Sequence, residues 1–128
     1  MLKLIHLPIH HIGIAVLEPT FTKFAENRDF NIDEKQGVKT IFEWNNTFDC
    51  YIEYFTISGR AKNYKPGFNH ICYQLESRVE FHELMDFWKN TNLGVQVTEI
   101  ERSGSKECNF VVFCFLSGLG MVEFNIND

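Results

Sequence analysis

Two stretches of this 128-residue chain repeat the same pattern, and this repetition limits the fold more than any other feature. Residues 11–16 and 70–75 both begin with His-Ile, read as β-strands and lead into a helix. A second pair, residues 51–55 and 121–125, shares an aromatic or apolar residue, then Ile or Val, Glu and an aromatic residue. Because such repeats indicate copies of one supersecondary unit, we expect two units of about 60 residues each.

Periodic apolar patterns predict the same element order in both halves. Strands are predicted at residues 9–17, 38–44, 50–57, 70–75, 95–101, 109–115 and 121–126. Residues 30–36 are ambiguous and contain at most a short strand. The sequence therefore predicts two βαβββ modules, at about residues 8–60 and 67–127, within one domain that spans residues 1–128.

Two segments have helical patterns. Ser77 and Glu80 have the spacing of a capping box at a helix start. An apolar stripe follows at intervals of three and four residues, formed by Phe81, Leu84, Met85 and Trp88. The shorter helix has Pro19 in its first turn and a stripe formed by Phe21, Phe24 and Ala25.

Composition excludes several classes of function. The net charge of −5 gives no support to nucleic-acid binding, which usually needs a basic patch. There is no apolar run long enough for a membrane span, and residues 1–4 do not resemble a signal peptide. The four cysteines lack Cys-x-x-Cys spacing and lie in apolar stretches, so buried reduced thiols in the cytoplasm are expected.

Four polar residues interrupt the predicted strands at matched places in the two repeats. They are His11, Glu53, His70 and Glu123, and each lies opposite the aliphatic face of its strand. Two imidazoles and two carboxylates suit a divalent cation such as nickel, zinc, cobalt, manganese or iron. Duplication of a structural His and Glu would give the same pattern without any metal, so both interpretations remain open at this point.

The order of these motifs resembles the vicinal oxygen chelate superfamily, in particular its glyoxalase I and methylmalonyl-CoA epimerase branch. The resemblance rests on residues 10–16 (His-His-Ile-Gly-Ile-Ala-Val), residues 66–73 (Pro-Gly-Phe-Asn-His-Ile-Cys-Tyr) and residues 120–124 (Gly-Met-Val-Glu-Phe). It implies an α+β fold in which the paired modules form a cupped, mostly antiparallel sheet around one metal ion. It also implies that the chain forms a homodimer.

The resemblance implies a site and a chemistry. His11, Glu53, His70 and Glu123 match the four metal-ligand positions. Glu123 is the candidate base and Glu53 its near-symmetric partner, with Tyr51 and Phe55 as candidate substrate-binding residues. The implied function is a metal-dependent lyase, isomerase or epimerase that moves a proton next to a carbonyl or thioester, as in lactoylglutathione lyase or methylmalonyl-CoA epimerase.

Departures from the family leave the substrate open between a glutathione adduct and an acyl-CoA thioester. Thr40 stands where some epimerases carry a further glutamate, and no arginine is assignable to the glutathione carboxylates. The alternative function is a binding protein of the same fold that sequesters a small molecule without turnover, as antibiotic-resistance members do. An extradiol-type dioxygenase is a third hypothesis, but its usual set of two His and one carboxylate differs from the four residues here.

Overall fold

The computed structural model describes residues 7–127, which form nine β-strands and two α-helices. In chain order these are β1 (Ile9–Val16), α1 (Glu18–Phe24), β2 (Asn31–Asp33), β3 (Val38–Asn45), β4 (Cys50–Thr56), β5 (Gly67–Leu75), α2 (Arg78–Asn90), β6 (Gly94–Gln96), β7 (Glu101–Arg102), β8 (Phe110–Leu116) and β9 (Gly120–Ile126). A short 3-10 helix, Gly59–Ala61, follows β4. The predicted α+β class and tandem βαβββ order are confirmed. Residues 1–4, where no signal peptide is expected, lie outside the described residues.

The described chain divides into two compact units, and each contains its own set of paired strands. The first unit is His11–His70, and the second unit comprises the other described residues. Strands of the first unit lie in the order β2-β3-β4-β1, with β1 parallel to β4 and the other pairs antiparallel. Strands of the second unit lie in the order β6-β8-β9-β5, with β5 parallel to β9 and β7 paired to β8. The matching order and the matching parallel pair confirm the duplicated module and the mostly antiparallel pairing. The single domain over residues 1–128 stays a prediction.

The strand predicted at residues 95–101 is wrong as one element, because a bulge divides it into β6 and β7. The backbone N–H groups of Val97 and Thr98 both donate to the carbonyl oxygen of Phe113. The Thr98 hydroxyl then accepts from the Phe113 N–H at 2.8 Å, in place of a backbone carbonyl. Two residues opposite one is the definition of a β-bulge, and it ends regular pairing there.

Helix α2 begins at the predicted cap. The Ser77 hydroxyl accepts from the backbone N–H of Glu80 at 3.2 Å. The Glu80 carboxylate accepts from the N–H of Glu76 rather than from that of Ser77, so the capping box is displaced by one residue on that side. Phe81, Leu84 and Trp88 are buried and Met85 is half-buried, which confirms the predicted stripe.

Helix α1 is shorter and lies against the strands of the first unit. Pro19 occupies its first turn as predicted. The Phe21 ring is buried edge-on against Phe30, with the ring centroids 5.8 Å apart, and Phe24 contacts Tyr54 at 4.7 Å. Helix α2 has 13 residues against 7 in α1. The segment between β6 and β8, residues 97–109, is also longer than residues 34–37 between β2 and β3, so both differences lengthen the second module relative to the first.

The cysteines are in the reduced form, and three of them are buried as expected. Cys108 is only half-buried, because it lies in the loop before β8. Burial raises the pKa of Cys114 to about 12, so this thiol stays protonated near neutral pH.

Among residues 7–127 there is no helix with the length and apolar character needed to cross a membrane.

Candidate metal centre

The parallel pairing of β1 with β4 places His11, Tyr51 and Glu53 on one face of the first unit. His11 lies beside Tyr51, and Gly13 lies beside Glu53. Side chains of directly paired residues point to the same side of a sheet. His11 and Glu53 therefore point the same way, on either side of a glycine that leaves space between them. This face of β1 is the more buried one, since His11, Gly13 and Ala15 are buried whereas Ile12, Ile14 and Val16 are half-buried.

Three potential ligand atoms converge on this face. The His11 Nε2 and His70 Nε2 atoms are 3.2 Å apart. Oε1 of Glu53 lies 3.4 Å from the first nitrogen and 3.5 Å from the second. Both imidazoles are buried, and the Glu53 side chain is 13% exposed. The expected convergence of His11, Glu53 and His70 is therefore present in the first unit.

The spacing of these atoms fits the donor set of a first-row divalent cation. Metal–nitrogen and metal–oxygen bonds to such ions are about 2.0–2.2 Å long, so neighbouring ligand atoms on one ion lie about 2.9–3.5 Å apart. The three measured separations of 3.2, 3.4 and 3.5 Å fall in that range. Two imidazole nitrogens at this distance need a shared proton or a cation between them, because two lone pairs repel each other. The donor set of two imidazoles and one carboxylate fits nickel, zinc, cobalt, manganese or iron.

Gly13 provides the space in which the His70 ring lies. A Cβ atom at this position would stand 2.6 Å from Nδ1 and 2.7 Å from Nε2 of His70. Both separations are far inside van der Waals contact, so any side chain here would displace the imidazole. A glycine inside a strand often marks such a close approach. This is the signal in the sequence from which the role of Gly13 could have been inferred.

Asn69 orients the His70 ring. Nδ1 of His70 donates to the Asn69 side-chain oxygen at 2.7 Å. A carbonyl oxygen can only accept a hydrogen bond, so the proton resides on Nδ1 and leaves the Nε2 lone pair directed at His11 and Glu53. Metal-ligating histidines commonly donate their other ring N–H to such an acceptor. Sequence reasoning missed Asn69, because strand alternation places it on the opposite side from His70.

Aromatic rings surround the two histidines. The Phe42 ring meets His11 edge-on at 5.3 Å, and the Phe55 ring lies 6.0 Å from that of His70. Tyr51 contacts Phe42 at 6.0 Å. The two residues predicted to bind substrate, Tyr51 and Phe55, therefore lie on the same face as Glu53. Apolar rings lower the local dielectric constant and so strengthen electrostatic interactions among the polar groups beside them.

Three further residues singled out in the sequence are Glu123, Thr40 and His10. Glu123 is buried on β9 in the second unit, paired with Cys72 on one side and Phe113 on the other. Its role as a ligand and base stays a prediction. Thr40 lies opposite Phe55 on β3, and within residues 7–127 its buried hydroxyl oxygen has no hydrogen-bond partner. His10, which was not expected to be a ligand, directs Nε2 at the backbone carbonyl of Glu107 at 2.8 Å.

Comparisons with known proteins identify the fold. No protein-family model and no curated protein matches the sequence. Among solved structures, the Mycobacterium tuberculosis methylmalonyl-CoA epimerase matches with a TM-score of 0.66 and 15% identity, over 94% of this chain and 88% of that one. A hypothetical protein from Bacillus halodurans matches with a TM-score of 0.66 and 18% identity, over 96% of each chain. A Streptomyces coelicolor methylmalonyl-CoA epimerase variant in complex with 2-nitronate-propionyl-CoA matches with a TM-score of 0.60 and 16% identity, over 94% and 97%.

These matches show that the chain has the fold of the methylmalonyl-CoA epimerases. The fold that the sequence resemblance implied is thereby confirmed over nearly the whole chain. Sequence identities of 11–18% show a common fold and not a common activity. The function must therefore be argued from the residues of the site itself.

Proposed function

We propose that His11, Glu53 and His70 bind one divalent metal ion, with Glu123 as the fourth ligand. The observation that carries this proposal is the set of three donor atoms, separated by 3.2–3.5 Å and enclosed by aromatic rings. Buried carboxylates are generally paired or bound to metal ions, so the burial of Glu123 is compatible with its use as a ligand. The metal is one of nickel, zinc, cobalt, manganese and iron.

The chain is a metal-dependent lyase, isomerase or epimerase that transfers a proton next to a carbonyl or thioester. A bound divalent cation would supply polarisation of a substrate oxygen and so acidify the neighbouring C–H group. Glu123 is the base that accepts this proton on its carboxylate, and Glu53 is its near-symmetric partner on the other strand pair. Phe42 and Phe55 place apolar rings beside the two histidines, and an apolar surrounding strengthens the interaction between the carboxylates and the cation.

The substrate is a small molecule of the glutathione-adduct or acyl-CoA thioester type. Matched structures of the same fold hold methylmalonyl-CoA or 2-nitronate-propionyl-CoA, which supports the thioester class. A threonine hydroxyl is not a base near neutral pH, so Thr40 does not replace a second glutamate. An epimerase reaction here would use Glu53 and Glu123 for its two proton transfers.

We also propose an oligomeric state, a cellular location and the classes of macromolecule that the protein does not bind. It acts as a homodimer in the cytoplasm and binds neither nucleic acid nor membrane. The acidic net charge argues against nucleic-acid binding, and the reduced cysteines support the cytoplasm.

Proton exchange in deuterium oxide tests the catalytic part. Metal-loaded protein is incubated with glutathione hemithioacetals and short acyl-CoA thioesters, and loss of the proton next to the carbonyl is followed by nuclear magnetic resonance. We expect exchange with at least one member of the panel. We also expect Glu123→Gln to reduce its rate by about 100-fold or more, because a general base is lost.

Glu43→Gln is the matched control for this experiment. Glu43 lies on β3, is exposed and pairs with Arg28 at 3.0 Å, so the same loss of charge there should leave the rate unchanged. An unchanged rate in Glu123→Gln would remove this residue as the base. Binding of metal with no exchange for any substrate would contradict the enzyme and favour the non-catalytic binding protein.

A further inference from the structure

Three aromatic residues form a continuous strip on the face of the first unit that carries Glu53. The aromatic strip consists of Phe42 and Trp44 on β3 and Tyr51 on β4. Phe42 is paired with Glu53, and Trp44 is paired with Tyr51. Tyr51 is in turn paired with His11 on β1. Because directly paired residues share a face, the strip lies on the same side as His11 and Glu53.

The rings of the strip contact His11 and one another edge-to-face. His11 meets Phe42 at 5.3 Å and 89°, and Phe42 meets Tyr51 at 6.0 Å and 88°. Tyr51 meets Trp44 at 5.2 Å and 86°. Edge-to-face packing is the geometry that aromatic pairs prefer, so each ring holds its neighbour in place.

The strip passes from the protein interior to solvent. His11 is 1% exposed, whereas Trp44 at the other end is 53% exposed. The other tryptophan, Trp88, is fully buried, so exposure of an indole is not general in this chain. The Trp44 indole N–H donates to the Asn46 side-chain oxygen at 3.0 Å, which orients the ring. The strip is therefore preorganised, and a ligand that packs on it loses little free energy to side-chain ordering.

We propose that the aromatic strip binds an aromatic ring of the substrate, one attached close to the oxygens that the metal site takes. This inference rests on the proposed metal site at His11, Glu53 and His70. Neighbouring strands lie about 4.8 Å apart, so Tyr51 is one strand spacing and Trp44 two spacings from His11. An aromatic ring bonded to the carbon that carries one of two adjacent oxygens reaches Tyr51 when these oxygens lie beside His11 and His70. A methyl group bonded to the same carbon is too short to reach Tyr51.

Two hydroxamates test this proposal, because they present the same two adjacent oxygens to a metal. Acetohydroxamate carries a methyl group and benzohydroxamate carries a phenyl ring. Titration calorimetry on the metal-loaded protein measures both dissociation constants. We expect benzohydroxamate to bind about tenfold more tightly or better, and we expect this ratio to fall below about threefold in Tyr51→Leu and in Trp44→Leu. The affinity for acetohydroxamate should stay within about twofold.

Phe87→Leu is the matched control, since it makes an equivalent change at an exposed aromatic residue on α2. This variant should keep the full ratio. Equal binding of the two hydroxamates, or a ratio unchanged in both strip variants, would overturn the proposal. A second outcome that overturns it is a strip variant that lowers the oligomeric mass and keeps the ratio, because the strip would then be an interface between copies. Metal uptake is measured separately. Failure to bind metal would overturn the proposed function as well, whereas metal binding without ring preference would overturn the strip alone.

Discussion

The two units share one strand order but divide burial differently. In the first unit the buried face of β1 is formed by His11, Gly13 and Ala15, and its core cluster has four buried residues. Within residues 7–127, the core cluster of the second unit has ten, among them Trp88 and Phe124. Buried polar groups contribute little to stability or oppose it, whereas buried apolar side chains stabilise by about 1.5–3 kcal/mol each. The comparison indicates that the first unit positions three of the candidate ligands while the second unit supplies most of the stability.

The largest expected effect is the loss of stability when a core side chain of the second unit is removed. Trp88→Ala should lower the free energy of unfolding by about 3–5 kcal/mol, because it removes a fully buried indole from the centre of the larger core. Urea denaturation followed by circular dichroism measures this change.

Trp88→Phe is the matched control for that experiment. Within residues 7–127 the indole N–H of Trp88 has no hydrogen-bond partner. Phenylalanine removes this unsatisfied donor and retains most of the apolar volume, so the loss should stay under about 1.5 kcal/mol. An equal loss in the two variants would contradict the assignment of stability to apolar packing at this site.

The next effect concerns the first unit and its metal affinity. Gly13→Ala places a methyl group against the His70 ring and should weaken metal binding by about 100-fold, because the imidazole must move. Competition with a chromophoric chelator measures the affinity. Ala15→Gly on the same face of β1 is the control, and it should lower stability while the metal affinity is retained.

A smaller effect is expected at Asn69. Asn69→Ala should weaken metal binding by about 10- to 100-fold, since the Nδ1–H of His70 loses its acceptor. Asn69→Asp keeps an acceptor oxygen and should restore the affinity. Equal weakening in both variants would show that the amide acts in some way other than by accepting this hydrogen bond.

The smallest effect on stability is expected at the N-terminus of α2. Ser77→Ala removes the N-cap of α2 and should cost about 1 kcal/mol of stability in urea denaturation, with metal affinity unchanged. A change in metal affinity would mean that the N-terminus of α2 also affects the position of the ligands.

Much of the fold could be predicted because its signals are local or repeated. The His-Ile pairs and the Glu of each closing strand revealed the duplication, and Ser77 marked the start of α2. Alternation along a strand also predicted the common face of His11 and Glu53. These inferences needed only neighbours along the chain.

Features that depend on contacts between strands could not be predicted. The bulge at Val97 and Thr98 requires knowledge of the paired carbonyl of Phe113. Trp44 becomes part of the aromatic strip only through its register with Tyr51. Alternation gives the face of a residue but not its partner on the next strand, so distant pairings remain hidden in a single sequence.

The metal content of the purified protein shows whether His11, Glu53 and His70 bind a metal ion. Protein purified without added metal is exposed to nickel, cobalt, zinc or manganese, desalted and analysed by plasma mass spectrometry. We expect about one ion per chain for the wild-type protein and under about 0.1 for His11→Ala, because a ligand is lost. Less than about 0.1 ion per chain in the wild-type protein with all four metals would contradict metal binding by these residues.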